Sequence, residues 1–258
     1  MLLKIKIWLI TILSIFITIS CIQPKETLTI NYIAHASFII SSDTTSILID
    51  PFRSKQWIGY NFPENITADA VFITHPHYDH DGGRFLGDHP YWESTTKIYE
   101  TPGVSELGNF KVKGIIGKHN DPYGKEFGQK NTIFKFEVAD ISLVHLGDNG
   151  PLTEANYKDL GKIDVLMIPI DSTYHILSHE TIQEIIARLE PKLIIPMHYR
   201  ISHLEAHGNP KNLGDIDPYL NKQPRVITLE SNHYTLKIDK LPKMATYIKF
   251  KAHPNLKN

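Results

Sequence analysis

From Leu28 onward the chain reads as short apolar runs, rich in Val, Ile, Phe and Tyr, separated by Gly, Pro, Asn, Asp and Ser. Runs of this length and composition predict β-strands, here at residues 28–33, 37–40, 46–50, 70–74, 97–100, 111–116, 132–138, 141–146, 165–170, 192–197, 225–229 and 234–238. Helical spacing is rarer. The clearest case is 178–190, where Ser178 can cap, Glu180 lies in the first turn, Ile182, Ile185, Ile186 and Leu189 share a face, and Pro191 stops the run. A shorter helix is expected at about 153–160. Many strands with a few intervening helices predict an α/β fold.

The N-terminus breaks this pattern. Lys4 and Lys6 precede an uncharged run from Ile7 to Ser20, which ends at Cys21, the only cysteine. The run falls short of the ~20 residues of a transmembrane helix and has the charged-then-apolar layout of an export signal. Ser20 before Cys21 resembles a bacterial lipobox, with Thr18 where leucine is usual. That resemblance implies an exported lipoprotein held at the membrane through lipidated Cys21; an uncleaved anchor, or cleavage to a periplasmic or secreted form, are the alternatives. Residues 1–21 are then a signal segment, and 22–258 one domain behind a short tether at 22–26.

A lone cysteine gives that domain no disulfide, so its stability must come from its core. Its size allows this, since chains of this length bury roughly three quarters of their unfolded surface. Without Lys4 and Lys6, the 27 basic residues become 25 against 28 acidic ones, a net charge of about −3. No basic stripe marks a nucleic-acid partner; the expected partner is a small-molecule substrate.

Chemistry concentrates between Val71 and Gly83, where the strand run AVFIT is followed by HPHYDHDGG. His75, His77, Asp79 and His80 offer imidazole nitrogens and a carboxylate, a donor set that suits zinc and similar divalent metals. Alternation along an extended segment predicts His75, His77 and Asp79 on one side of the loop, with His80 turned toward a second ion. Further candidates stand beside later strand ends: His119, Asp148 and His198. His145 competes with His119, but its position within a strand suits a histidine that orients a neighbour.

The HxHxDH-DGG pattern, led in by a strand ending in Thr74, resembles the metallo-β-lactamase superfamily. Within it the nearer resemblance is to metal-dependent hydrolases that include the ascorbate-phosphate lactonase-like proteins. It is carried also by His35-Ala-Ser37, by 47–51, by His145-Leu-Gly-Asp148 and by 195–199, and covers roughly residues 28–230. The resemblance implies an αββα four-layer sandwich of two mixed β-sheets with outer helices, the metal site lying at one edge. It implies one divalent ion on His75, His77 and His119, another on Asp79, His80 and His198, and Asp148 bridging them. Zinc is the expected metal, with manganese or iron also compatible. The expected activity is hydrolysis of an ester, lactone or phosphoester by a metal-bridging hydroxide that Asp79 helps to orient. A non-enzymatic zinc-binding lipoprotein is the alternative, although a pure binder needs only a closed site of four protein ligands.

Around this site His35 is expected to support or pack, and Asp50, before Pro51, to end a strand. His175, His179, His203, His207, Tyr199 and Arg200 are pocket candidates. Aromatic rims are expected at 52–63, with Trp57, Tyr60 and Phe62, and at 84–93, with Tyr91 and Trp92. Relatives in this branch show glycines where this chain has Asp171-Ser-Thr-Tyr-His175, so sugar-phosphate specificity does not carry over from the resemblance.

Overall fold

The computed structural model describes residues 27–53, 57–82, 97–120, 124–201, 204 and 213–256. The expected signal segment with Cys21, His203, His207 and the expected rim at 84–93 lie outside them. Among the described residues fourteen strands form two sheets: β1 (Leu28–Ala34), β2 (Ser37–Ser41), β3 (Ser46–Ile49), β4 (Ala70–Phe72), β5 (Lys97–Tyr99), β6 (Gly103–Leu107), β7 (Phe110–Lys118), β8 (Lys130–Val138), β9 (Ile141–His145), β10 (Val165–Pro169), β11 (Leu193–Met197), β12 (Val226–Thr228), β13 (His233–Leu236) and β14 (Thr246–Lys249). One sheet runs β13-β1-β2-β3-β4-β5 and the other β12-β14-β11-β10-β9-β8-β7-β6.

Both sheets are mixed. β3, β4 and β5 are parallel, as are β9, β10, β11, β14 and β12, while the remaining pairs are antiparallel. Strand alternation explains the layers. Ile47, Ile49, Ala70 and Phe72 join the main core with Phe134, Phe136 and Leu143 of the second sheet. Leu48, Val71 and Ile73 point the other way, into a second cluster with Phe52, Tyr60, Phe62 and Ile201. Strands covered on both faces read as continuous apolar runs, which is why these stood out in the sequence. The arrangement is the expected sandwich of two mixed sheets packed face to face, and among the described residues the chain packed on the outer face of the first sheet is irregular.

The helices begin as their caps dictate. α1 (Glu154–Leu160) starts at a capping box in which Thr153 and Asn156 satisfy each other's backbone N–H groups. α2 (His179–Leu189) is capped by Ser178, buries Ile182, Ile185 and Leu189, and ends at Glu190 with φ 48°, just before Pro191. α3 (Asp217–Leu220) carried no periodicity long enough to read. β6 and β14 were likewise not anticipated: β6 is a largely exposed edge strand, and β14 is only four residues long.

Candidate metal centre

The C-terminal ends of parallel strands from both sheets converge on one edge, where a rigid scaffold can present loop side chains. β3 delivers Asp50, β4 delivers 74–82, β9 delivers Asp148, β10 delivers 171–175 and β11 delivers His198; His35 comes from the β1–β2 turn and His119 from the end of β7. Four of these residues, His35 (φ 57°), Asp50 (φ 46°), Tyr174 (φ 57°) and His198 (φ 60°), hold left-handed backbone conformations despite their side chains. Such conformations cost about 1–3 kcal/mol each and persist only where the surroundings enforce them. Here the His198 amide donates to the His35 carbonyl at 3.0 Å, and the Asp50 amide to Phe72 at 2.9 Å.

Residues 75–82 do not continue the strand. The amides of His80 and Asp81 both donate to the His77 carbonyl, at 2.9 and 2.6 Å, and the Gly82 amide donates to Pro51 at 2.6 Å. A Cβ at Gly82 would stand 2.3 Å from the Phe52 backbone, so only glycine permits this return. Because the segment curls, Asp79 does not share a side with His75 and His77, as strict alternation predicted. It faces the second group together with His80.

Two groups of donors, joined by a third made of His75, His80 and Asp148, result among the described residues. His75, His77 and His119 bring ring nitrogens within 4.8 Å of one another, and a carboxylate oxygen of Asp79 does so with ring nitrogens of His80, His198 and His35. The Asp148 carboxylate lies between them. Its Oδ2 is 3.1 Å from His198 Nε2, 3.6 Å from His119 Nε2 and 3.9 Å from His75 Nε2, and its Oδ1 is 3.2 Å from His80 Nε2. His145 belongs to neither group: its Nε2 donates to the Ala36 carbonyl at 2.9 Å and its Nδ1 accepts from the Gly147 amide at 3.1 Å.

An outer layer orients the rings. His80 Nδ1 donates to Asp50 Oδ2 at 2.7 Å; the same oxygen accepts from Thr74 Oγ1 at 2.8 Å, which stands 3.0 Å from His75 Nδ1. Asp50 therefore steers one histidine of each group, a role beyond the strand end that the sequence suggested. His35 Nε2 lies 3.0 Å from Asp79 Oδ2, His119 Nδ1 donates to the Asn120 carbonyl at 3.0 Å, and His77 Nε2 faces Glu126 Oε1 at 3.0 Å. Trp57 and His175 line the His198 side, the His175 ring stacking parallel on His198 at 5.3 Å. Tyr60 and Phe62 are core instead of rim. His179 donates to the Asp171 carbonyl, and Arg200 pairs with Asp215, away from both groups.

These residues fit divalent cations. Among the described residues, Nε2 of His80, His119 and His198 and Oδ1 of Asp148 are buried and find no partner of hydrogen-bond geometry, an arrangement that bound ions satisfy. The facing His75 Nε2 and His77 Nδ1 are only 3.1 Å apart. Electrostatics agree. Burial favours the neutral carboxyl, yet His80 beside Asp79, and His198 and His80 beside Asp148, hold both acids well below the usual range. Against the same burial, Asp148 lifts His198 to about 9 and, with Asp50 and Asp79, raises His80. Positive charge is favoured beside Asp79 and Asp148. Burial pushes His75 down and His35 to about 4, leaving them neutral and able to donate lone pairs.

A family model described as beta-lactamase superfamily domain matches residues 29–198. The UPF0173 metal-dependent hydrolase of Methanosarcina mazei is 28% identical over 195 residues, spanning 67% of this chain and 83% of that protein. Its counterpart from Carboxydothermus hydrogenoformans is 23% identical over 201 residues, spanning 66% and 84%. Among solved structures, a zinc-dependent hydrolase candidate of the metallo-beta-lactamase superfamily from Thermotoga maritima superposes with a TM-score of 0.65 at 27% identity, covering 88% of this chain and 100% of that one. The metallo hydrolase Igni18 of Ignicoccus hospitalis shares the fold, with a TM-score of 0.54 at 21% identity over 76% and 90% of the two chains.

Proposed function

The chain belongs to the beta-lactamase superfamily domain family and is a metal-dependent hydrolase; from that premise we propose that it holds two divalent ions and cleaves an ester, lactone or phosphoester of a small molecule. The position of Asp148 carries this reading, since its two oxygens stand within 3.1–3.9 Å of nitrogens from both donor groups. His75, His77 and His119 would hold one ion, Asp79, His80 and His198 the other, and Asp148 both. Zinc suits the donor set best, and manganese or iron is accommodated. When bound, such a pair lowers the pKa of a shared water toward about 7 and polarises the scissile group. Asp79, besides serving as a donor, would orient that water through its carboxylate. Asp50, Thr74 and His35 hold the donors in register, and the Trp57–His175 wall excludes solvent on the His198 side.

The test is turnover by metal-loaded protein of a panel of lactones, phosphodiesters and acyl esters. One class is expected to be hydrolysed and a chelator to abolish the reaction. Tight retention of both ions without turnover of any class would instead support an ion-capturing protein.

A further inference from the structure

Glu126 lies outside both donor groups, yet it is the partner of His77. Its Oε1 sits 3.0 Å from His77 Nε2. A carboxylate only accepts hydrogen bonds, so this contact requires the proton on Nε2 and leaves Nδ1 bare. The bare Nδ1 faces His75 Nε2 at 3.1 Å. His75 is set by a parallel device: Thr74 Oγ1 donates to Asp50, so it accepts from His75 Nδ1–H and leaves Nε2 bare. His119 donates through Nδ1 to a carbonyl. Three lone pairs thus face one point.

His77 is the only one of the three rings that is not fully buried, with its side chain 17% exposed. Packing alone does not decide which way it turns. The turn carrying Glu126 is built against the site. Gly124 (φ 72°) and Gly128 (φ 66°) bracket Lys125–Phe127, and a Cβ at Gly124 would stand 2.8 Å from His119 Cγ. The Phe127 ring meets His77 edge-on at 5.2 Å, and the His119 amide donates to Gln129 at 2.8 Å.

We propose that Glu126 is a positioning residue, fixing the tautomer and rotation of His77 so that Nδ1 serves the His75–His77–His119 site. This rests on the metal-hydrolase reading. The competing explanation is a generic surface attraction, since the Glu126 side chain is 62% exposed and exposed ion pairs contribute little. The two differ in one respect: a neutral amide oxygen can still accept from Nε2–H, whereas a charge effect disappears with the charge.

The experiment compares wild type, Glu126→Gln and Glu126→Ala by nitrogen-15 NMR of the metal-free histidines and by chelator competition with zinc. Wild type is expected to show His77 protonated on Nε2, and Glu126→Ala a tautomer mixture. In Glu126→Ala one ion should bind roughly 10–100-fold more weakly, the size typical of outer-partner loss, with the other unchanged. Glu126→Gln should keep the tautomer and most of the affinity. An unaltered tautomer in Glu126→Ala, or Glu126→Gln matching Glu126→Ala, overturns the proposal. Wild type that holds two ions but hydrolyses nothing overturns the hydrolase reading and leaves the His77 result standing.

Discussion

At the scale of single residues, the site is controlled by groups that touch no ion. Asp50 is fully buried and shared by Thr74 and His80, so Asp50→Asn leaves both with an uncharged and partly mismatched partner. Metal affinity is expected to fall roughly 10–100-fold, measured by chelator competition. Asp79→Ala and His80→Ala remove donors outright and should lower turnover by orders of magnitude while circular dichroism stays native, because both lie on a loop past β4. A loss of folding in either variant would show that the loop is structural as well as functional.

At the scale of elements, α1 and α2 are tied together across the surface. Arg188 reaches both oxygens of Glu154 at 2.8 Å and lies 3.5 Å over the Tyr157 ring. Arg188 holds the Glu154 carboxyl below its ordinary range. A depressed carboxyl contributes stability above its unfolded pKa and loses it as pH falls through its folded pKa. Glu154→Gln should therefore lower the urea midpoint slightly near pH 7, and the difference from wild type should vanish once the pH has fallen below the folded pKa of Glu154. A gap that persists in acid would assign the effect to packing on Tyr157. The α2 cap is worth more: Ser178→Ala is expected to cost about 1 kcal/mol, read in the same urea series with metal content unchanged.

At the scale of the whole molecule, the donors come from both sheets, so a bound ion ties the sheets together. Ligand that binds only the native state stabilises it by about 2.7 kcal/mol at a hundredfold excess over Kd. Elemental analysis is expected to find close to two ions, and chelation to lower the melting temperature; at most one ion after reconstitution would end the dinuclear reading. Among the described residues no helix is long and apolar enough to cross a membrane. The apolar run at 7–20 lies outside them; if Cys21 is lipidated, Cys21→Ser should release the protein from the membrane fraction, whereas unchanged attachment would favour an uncleaved anchor.

What the sequence determined by itself is what local pattern encodes. Apolar runs buried on both faces marked the β3, β4, β10 and β11 strands, a serine cap and a 3.6-residue stripe marked α2, and the crowding of His75, His77, Asp79 and His80 marked the chemistry. What only the tertiary structure decided depends on direction and long separation. His35 meets Asp79 from 44 residues away, and Glu126 meets His77 from 49, with no periodicity to announce either. Asp50 reads as a strand end until its left-handed backbone turns the carboxylate onto Thr74 and His80. Asp79 changes sides because the amides of His80 and Asp81 close a turn on the His77 carbonyl, which an extended-strand rule cannot foresee. Strand pattern specifies which residues are buried; the positive-φ turns at the strand ends decide which atoms meet.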